Sequence, residues 1–359
     1  MHDPVSSLQG VNLSIDDFLK HTPLWARDVL GALCFSDEAA QPRDRVDMDI
    51  PCLCVPMRRM DAADAACEIW YGKGDVDEGR VGDIHYRHDA DVLFGVMLVS
   101  EAQFTARPDK TPLQQATDSA YRQIFSLLES LDYPYLFRFW NYIADINTHS
   151  FGLERYRQFN LGRQEAFLAH GREVVGNVPA ACALGFGQCT ETTTLTIAFL
   201  AGRVAPRNIE NPRQISAYQY PQQYGPRSPT FSRASLVTLG QDEVLFISGT
   251  ASIVGHATLH PCDAVAQTRE TVANIEAVLA EANAVSVKTR FNLASLHYKV
   301  YVRHVNDLDA VRAELERLVG GKLNAIYLQA DVCREDLLLE IEATAGHPTR
   351  MPDKHANAA

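Results

Sequence analysis

The sequence contains no run of apolar residues that approaches the roughly 20 needed for a membrane-spanning helix. Its first residues, MHDPVSSLQGVNLS, have neither a basic start nor an apolar segment, so we expect no signal peptide and a cytoplasmic protein. Basic residues are outnumbered, with 33 Lys and Arg against 45 Asp and Glu, and the formal net charge is −12. Such a chain is a poor general binder of nucleic acid or of anionic membrane. An anionic ligand would need a local basic pocket.

Motifs for nucleotides and metals are also missing. There is no P-loop, and the segment GFG at 185–187 lacks the third glycine of a dinucleotide fingerprint. Cys52 and Cys54 have no second pair to complete a metal site. The polar cluster HYRHDAD at 85–91 matches neither zinc nor calcium spacing, and we interpret it as exposed loop polarity. We therefore predict no metal and no nucleotide cofactor.

Composition is that of a globular protein, with 46% hydrophobic and 22% charged residues. A length of 359 residues predicts two core-forming units rather than one. The eight cysteines are scattered through this long chain, which favours thiols in a reducing compartment over a disulfide framework.

Two successive series of elements follow an N-terminal stretch, 1–80, whose pattern is irregular. Each series runs strand, helix, strand, helix, strand. The first is predicted at 91–100, 111–131, 135–146, 153–170 and 192–200, and the second at 243–248, 263–282, 298–304, 308–318 and 337–342. Local matches indicate a duplication, since DVLF precedes the first helix and EVLF the second. We predict an α+β fold of two similar halves, each a mixed sheet with two helices on one face.

The segment between the two series, 206–233, is rich in proline, tyrosine and arginine and poor in aliphatic residues. It is either a flexible linker or an ordered crossover. Its three tyrosines favour order, because tyrosines usually pack. We predict an N-terminal half at 1–205, a crossover lining the cleft at 206–234 and a C-terminal half at 235–359.

Two carboxylates lie in the last predicted strand. Glu340 and Glu342 alternate with apolar residues, so both project from one face of the sheet. A solvated sheet face is the ordinary setting for this pattern. The alternative is a partly buried glutamic acid whose pKa is raised by desolvation. In the suggested duplication Thr196 corresponds to Glu340, so only one half carries the acid.

Two pairs of tyrosine and arginine stand out in the middle of the chain. Tyr156 and Arg163 are seven residues apart in a predicted helix and share a face. Tyr220 and Arg233 flank the crossover. Arginine forks bind carboxylates and tyrosine adds a hydroxyl donor, so the pairs suit a small dicarboxylate. On spacing alone, surface arginine and core tyrosine are the commoner explanation.

The segment 243–345 resembles the YjgF/RidA fold through EVLFISGTAS, QTRETVANIEAVLAEA and DLLLEIEATA. The small RidA deaminases carry a carboxylate-binding arginine upstream of the glutamate in the last of these motifs. The corresponding place here is Ala325. This departure argues against plain imine hydrolysis.

The whole chain resembles the chorismatase family, in which two RidA-like halves are fused. The motifs that carry the resemblance are LFRFWNYIADIN at 136–147, ERYRQFNLGR at 154–163, SAYQYPQQYGPRSPTFSRA at 216–234, SGTASIVGH at 248–256 and CREDLLLEIE at 333–342. The resemblance implies chorismate as the substrate and Glu340 as the acid or base. It implies that the substrate is bound by Tyr156, Arg163, Tyr220 and Arg233. Cys333 lies where members that yield 3-hydroxybenzoate also have cysteine, which implies a product-directing role.

The resemblance implies a lyase that releases pyruvate from chorismate and forms 3-hydroxybenzoate, 4-hydroxybenzoate or both, as precursors of aryl-polyene pigment and ubiquinone. Alternatives are a chorismate hydrolase giving a dihydroxycyclohexadiene carboxylate, a RidA-type enamine/imine deaminase, and a ligand-binding protein with a dead site. A pteridine-linked redox enzyme is a further alternative, but the sequence contains no motif for such a cofactor. We expect a monomer or a RidA-like homotrimer.

Overall fold

The computed structural model describes residues 8–25, 27–36, 50–62, 65–187 and 195–348. Within these ranges the helices are α1 (Ile15–Trp25), α2 (Pro112–Ser130), α3 (Arg155–Ala169), α4 (Ala264–Val285) and α5 (Leu308–Val319). The strands are β1 (Gln9–Ser14), β2 (Val29–Phe35), β3 (Cys52–Val55), β4 (Ala66–Tyr71), β5 (Asp77–Val81), β6 (Ile84–His88), β7 (Val92–Val99), β8 (Tyr135–Ala144), β9 (His149–Ser150), β10 (Leu153–Glu154), β11 (Ala180–Phe186), β12 (Leu195–Gly202), β13 (Arg207–Ile209), β14 (Ala234–Leu239), β15 (Asp242–Thr250), β16 (Ile253–Val254), β17 (Ala257–Thr258), β18 (His297–Val302), β19 (Asn324–Gln329) and β20 (Leu339–Ala345).

Two six-stranded mixed sheets organise the chain. The first has the order β11-β8-β12-β7-β6-β5 and the second the order β13-β14-β15-β20-β18-β19. In each sheet one edge strand, β11 or β19, runs parallel to its neighbour, and the other pairings are antiparallel. The α+β class is confirmed, and both series of predicted elements are present. The start of one predicted strand, 192–194, lies outside the described residues.

The strand registers relate the two sheets to each other. Thr196 of β12 pairs with Tyr142 of β8, and Glu340 of β20 pairs with Tyr301 of β18. These pairs occupy corresponding places in the two sheets. The hydroxyl oxygens of Tyr142 and Tyr301 lie 3.3 Å apart across the interface between the sheets. The registers thus agree with the correspondence of Thr196 and Glu340 inferred from the sequence.

Alternation along the strands divides the core into layers. In β8, Phe139 faces α2 and α3, whereas Trp140 faces the second sheet. In β20, the odd-numbered positions pack beneath α4 and α5 and the even-numbered ones turn towards the first sheet. Each pair of helices therefore covers the outer face of one sheet, and the inner faces of both sheets meet in the middle of the molecule.

The sequence suggested an irregular N-terminal stretch, but the described part of 1–80 contains regular strands. Strands β1 to β4 form a third sheet with the order β1-β4-β2-β3, and Trp70 of β4 packs against Trp140 and Phe246 in the central core. Helix α1 packs on its outer face through Phe18. The pattern was hidden because β2 is buried on both faces and shows no alternation of polar and apolar residues.

The expectation of thiols throughout was wrong for one pair of cysteines. Cys34 and Cys67 are directly opposite each other on β2 and β4, with Cα atoms 4.1 Å apart, and form a disulfide. Sequence spacing could not reveal this, since only the pairing of distant strands brings the two residues together. Cys189 lies outside the described residues.

The polar cluster at 85–91 is not an exposed loop. It forms β6 and the turn into β7, and His85 and Asp89 are buried. The Asp89 carboxylate accepts hydrogen bonds from the backbone N–H groups of Lys73 and Val92, each at 2.8 Å. The role of Asp89 is therefore structural, because its carboxylate satisfies backbone N–H groups at this turn. No group of side chains suited to a metal ion occurs in the described part of the chain.

No helix within the described ranges combines the length and the apolar character needed to cross a membrane.

Candidate functional site

A cavity of about 410 Å³ opens between the two large sheets. Its walls come from α3, β11, the crossover, the end of β15 and the segment leading into β20. All six residues proposed from the sequence line it: Tyr156, Arg163, Tyr220, Arg233, Cys333 and Glu340. The structure therefore brings together side chains that are as much as 184 residues apart, counting from Tyr156 to Glu340.

The crossover forms one wall of the cavity. It begins with β13, continues through two turns of 3-10 helix at Ala217–Gln219 and Gln222–Tyr224, and ends at β14. The cavity is lined by Tyr220, Tyr224 and Arg233 from this segment. β13 and β14 pair with each other in the second sheet, and this pairing anchors both ends of the segment. The domain boundaries proposed at 205/206 and 234/235 stay a prediction.

Glu340 lies at the floor of the cavity with a side chain that is only 4% exposed. Gly249 packs directly on it, and a Cβ at that position would overlap the Glu340 carboxyl oxygen. Burial first, and the charge of Glu342 second, raise the pKa of Glu340 to about 8, against the smaller opposing effects of Arg138 and Arg233. At neutral pH the group is a carboxylic acid that can donate a proton.

Arg163 and Tyr156 project from one face of α3, two turns apart, as the spacing predicted. The Arg163 side chain is 2% exposed, its Nη2 donates to the Asn160 side-chain oxygen at 2.8 Å, and its Nε has no partner. Among the described residues, no carboxylate lies within ion-pair distance of it. Burial raises the pKa of Tyr156, so its phenol stays protonated and can donate a hydrogen bond.

Arg233 repeats this arrangement on the wall formed by the crossover. Its Nη2 donates to the Tyr220 hydroxyl at 2.9 Å and to the Ile215 carbonyl at 2.8 Å. The side chain is nearly fully buried, and its Nε has no partner. Within the described ranges, it too lacks a carboxylate at ion-pair distance. Two buried guanidinium groups with no carboxylate at ion-pair distance among the described residues indicate an anionic ligand with two negative groups.

Cys333 lies beside the acid, on the segment that leads into β20. Burial first, and the nearby Glu340 second, raise the pKa of its thiol to about 12. The thiol is therefore neutral and acts as a small apolar group or a weak hydrogen-bond donor, not as a nucleophile.

Arg334 is a cavity residue that the sequence did not suggest. Its guanidinium lies 3.9 Å from the centre of the Tyr224 ring and 5.2 Å from that of Tyr220. Its Nη1 donates to the His256 carbonyl at 2.9 Å. The sequence gives no periodic spacing that would single out Arg334, since it is one of three charged residues in the polar run CRED.

A cluster of buried charges behind Glu340 was also missed. Glu342 binds both Arg138 and Lys299, and Lys299 also binds Glu68. Burial alone would raise the pKa of Glu342, but Lys299 and Arg138 outweigh it and lower the pKa to about 2. The signal was available: YLFRFWNYIA, HYKVYV and ACEIWY each place a charged residue inside an otherwise apolar strand.

The protonation of Glu340 can be measured directly. At pH 7, an infrared difference spectrum of the wild type against Glu340→Gln should show the carbonyl band of a protonated carboxyl. Because a raised pKa keeps the proton bound until the pH passes it, this band should disappear as the pH rises through about 8. A band already absent at pH 6 would contradict the burial argument.

Known proteins resemble this chain over most of its length. The family model described as "Chorismatase FkbO/Hyg5-like, N-terminal" matches residues 68–201. A 3-hydroxybenzoate synthase from Streptomyces hygroscopicus is 36% identical over 328 residues, covering 89% of this chain and 92% of the relative. A chorismatase from Streptomyces rapamycinicus is 38% identical over 282 residues, covering 77% and 80%.

A solved structure agrees with these relatives. The crystal structure of a chorismatase at 1.08 Å resolution is similar, with a TM-score of 0.81 and 31% identity over 96% of this chain and 99% of that one. The similarity spans the cavity, both large sheets and the crossover between them. On this evidence the chain belongs to the chorismatase family.

Proposed function

We propose that this protein cleaves chorismate, releases pyruvate and forms 3-hydroxybenzoate, with 4-hydroxybenzoate as a second product. The observation that carries the proposal is one neutral, buried carboxyl, Glu340, in a cavity with two buried arginines, Arg163 and Arg233, that have no carboxylate at ion-pair distance in the described part of the chain. Chorismate has two carboxylates and an acid-sensitive enolpyruvyl ether, so its groups match this arrangement. The names of the relatives support the same substrate.

The first step is a proton transfer from Glu340 to the terminal methylene carbon of the enolpyruvyl group. This makes the carbon that bears the ether oxygen electron-poor, in the manner of an oxocarbenium ion. The bond between the ring and the ether oxygen then breaks, its electron pair stays on oxygen, and pyruvate leaves with its keto group formed. General acid catalysis of this kind contributes about 10²–10⁴-fold in rate.

The ring is left as a cation that becomes aromatic by losing a proton. If the remaining hydroxyl stays in place, the product is 4-hydroxybenzoate. If it migrates to the carbon that carried the ether, the product is 3-hydroxybenzoate. Either way one dianion gives two monoanions, no water is consumed, and the ring proton can return to the Glu340 carboxylate. The acid is then ready for the next substrate.

Arg163 and Arg233 supply the binding energy and the orientation. Each holds one carboxylate of the substrate, and the Tyr156 and Tyr220 hydroxyl groups adjoin these positions. Fixing both ends of the molecule sets the methylene carbon against Glu340, which is the entropic part of catalysis. All these groups belong to one chain, so the site is complete without a second copy. We propose that the protein acts as a monomer, with a RidA-like homotrimer as the alternative.

Two other reactions fit parts of the site. Capture of the cation by water would make the enzyme a chorismate hydrolase that yields a dihydroxycyclohexadiene carboxylate. A RidA-type deaminase would need a carboxylate-binding arginine from β19. That strand, NAIYLQ, contains no arginine, and its Ala325 packs on the helix side of the sheet. We therefore favour the lyase, acting in the cytoplasm and supplying hydroxybenzoates for aryl-polyene pigment and ubiquinone.

The deciding experiment is to incubate the purified protein with chorismate and to separate the products by chromatography. Pyruvate and hydroxybenzoate in equal amounts are expected. A non-aromatic diene acid would indicate the hydrolase, and ammonia release from an imino acid without turnover of chorismate would indicate the deaminase.

Glu340→Gln should lower kcat by roughly 10²-fold or more, because the amide keeps the shape of the carboxyl but has no acidic proton. Binding of chorismate, measured by calorimetry, should change little. Wild-type-like pyruvate release by this variant would remove Glu340 from its role.

Arg233→Lys should raise KM by roughly 10-fold or more, because lysine cannot make the bidentate contact of a guanidinium with a carboxylate. The matched control is Arg203→Lys. Arg203 also stacks on a tyrosine, Tyr133 at 4.5 Å, but lies outside the cavity. In steady-state kinetics the KM of the control should equal that of the wild type. An equal rise in KM in both variants would argue against substrate binding by Arg233.

We also propose that Cys333 directs the outcome by its shape or by a weak hydrogen bond to the ring hydroxyl. Cys333→Ala should change the ratio of 3- to 4-hydroxybenzoate, or the share of hydrolysis product, more than it changes total pyruvate release. Cys262→Ala, at an exposed cysteine, is the control. An unchanged product ratio in the first variant would exclude the directing role.

A further inference from the structure

We propose that Glu68 and Glu342 are positioning residues for this reaction, which together neutralise two buried cations behind Glu340 and so keep the acid protonated. The inference rests on the proposed role of Glu340 and assigns a task to the N-terminal sheet. Neither carboxylate lines the substrate cavity, so neither can touch the reacting atoms.

The contacts of Glu342 define the cluster. It follows Glu340 by two residues on the same face of β20. One of its oxygens accepts a hydrogen bond from Arg138 of β8. The other accepts from Lys299 Nζ at 2.6 Å and from the Tyr301 hydroxyl at 3.1 Å. The two cations are thereby held on Glu342 rather than on Glu340.

Glu68 completes the charge balance. It projects from β4 of the N-terminal sheet and forms an ion pair with Lys299. Glu68, Arg138, Lys299 and Glu342 are all buried. The cluster therefore contains two positive and two negative charges and is neutral overall. Each of the three sheets contributes at least one of its members.

Loss of either carboxylate would leave one uncompensated positive charge in this dry region. An opposite charge within about 4–6 Å lowers the pKa of a carboxylic acid by about 1–3 units. Glu340 would then ionise at neutral pH and lose the proton that the reaction needs. Among the described residues, the other titratable groups that face Glu340 are Tyr301, which is paired with it on β18, Arg233 from the crossover, Cys182 from β11, Tyr156 from α3 and the neighbouring Cys333.

A second, small cavity lies on the far side of the cluster. It measures about 30 Å³ and is bounded by Glu68, Arg138, Lys299 and Glu342, and it shares no lining residue with the substrate cavity. The cluster thus separates the two spaces. None of its four charged side chains lines the substrate cavity, so we infer that the cluster acts on the reaction through its effect on Glu340.

The primary test is the variant Glu68→Gln, which removes one charge and leaves Glu342 paired. In the pH profile of kcat/KM for pyruvate release, the fall in activity at alkaline pH should move to a lower pH than the wild-type midpoint of about 8, because the positive charge left uncompensated favours the ionised form of Glu340. Activity on the acidic plateau should be retained. The infrared band of protonated Glu340 should titrate with the same shift.

Two further variants distinguish an effect of charge on Glu340 from a general loss of structural stability. Adding Lys299→Met to Glu68→Gln restores neutrality, and the midpoint should return towards that of the wild type. Glu243→Gln removes a buried carboxylate of β15 that holds the backbone at 287–289, far from the cluster. It should lower thermal stability without moving the profile.

An unshifted midpoint in Glu68→Gln, or an equal shift in Glu243→Gln, would overturn the proposal. Glu342→Gln should shift the midpoint further, but it leaves both buried cations without their shared carboxylate and is expected to destabilise the fold, so Glu68→Gln is the deciding variant. If Glu340→Gln retains turnover, the proposed role of Glu340 as proton donor is wrong. The infrared titration of Glu340 still decides whether the cluster controls its proton.

Discussion

Burial of the Glu340 carboxyl between two sheets is the constraint on which the rest of the site depends. In water this group would be ionised at neutral pH and could not act as an acid. Removing it from solvent favours the neutral form, and the Gly249 backbone in contact with it leaves no room for a side chain in between. The arginines can then collect anionic groups around a proton donor that is itself uncharged.

The function we propose requires positive charge in the cavity to bind the substrate, and this charge must not ionise Glu340. Arg163 lies on α3 and is hydrogen-bonded to Asn160, whereas Arg233 lies at the end of the crossover and is hydrogen-bonded to Tyr220. Arg138 is fully buried as well, but Glu342 holds it. The placement of partners, rather than the number of cations, thus determines which guanidinium groups are available to a ligand.

Periodicity in the sequence identified the two series of elements, because it is a local property, and the resemblance to the chorismatase family singled out the six cavity residues. Period two put Glu340 and Glu342 on one face, and helical spacing put Tyr156 beside Arg163. Sequence reasoning missed the N-terminal sheet and the disulfide, which depend on pairing between distant strands. It also missed the ion pair between Lys299 and Glu68, since the sequence of neither strand indicates which residue of another sheet it contacts.

The duplicated fold gives a physical reason for a single site. Thr196 occupies in the first sheet the place of Glu340 in the second, and it is fully buried. A hydroxyl there cannot serve as a carboxylic acid, so in the mechanism we propose the first half supplies binding groups from α3 and the second supplies the proton donor. A ligand with two unlike ends requires such asymmetry. Joining the halves in one chain lets each position change independently, which identical subunits of a symmetric assembly cannot do.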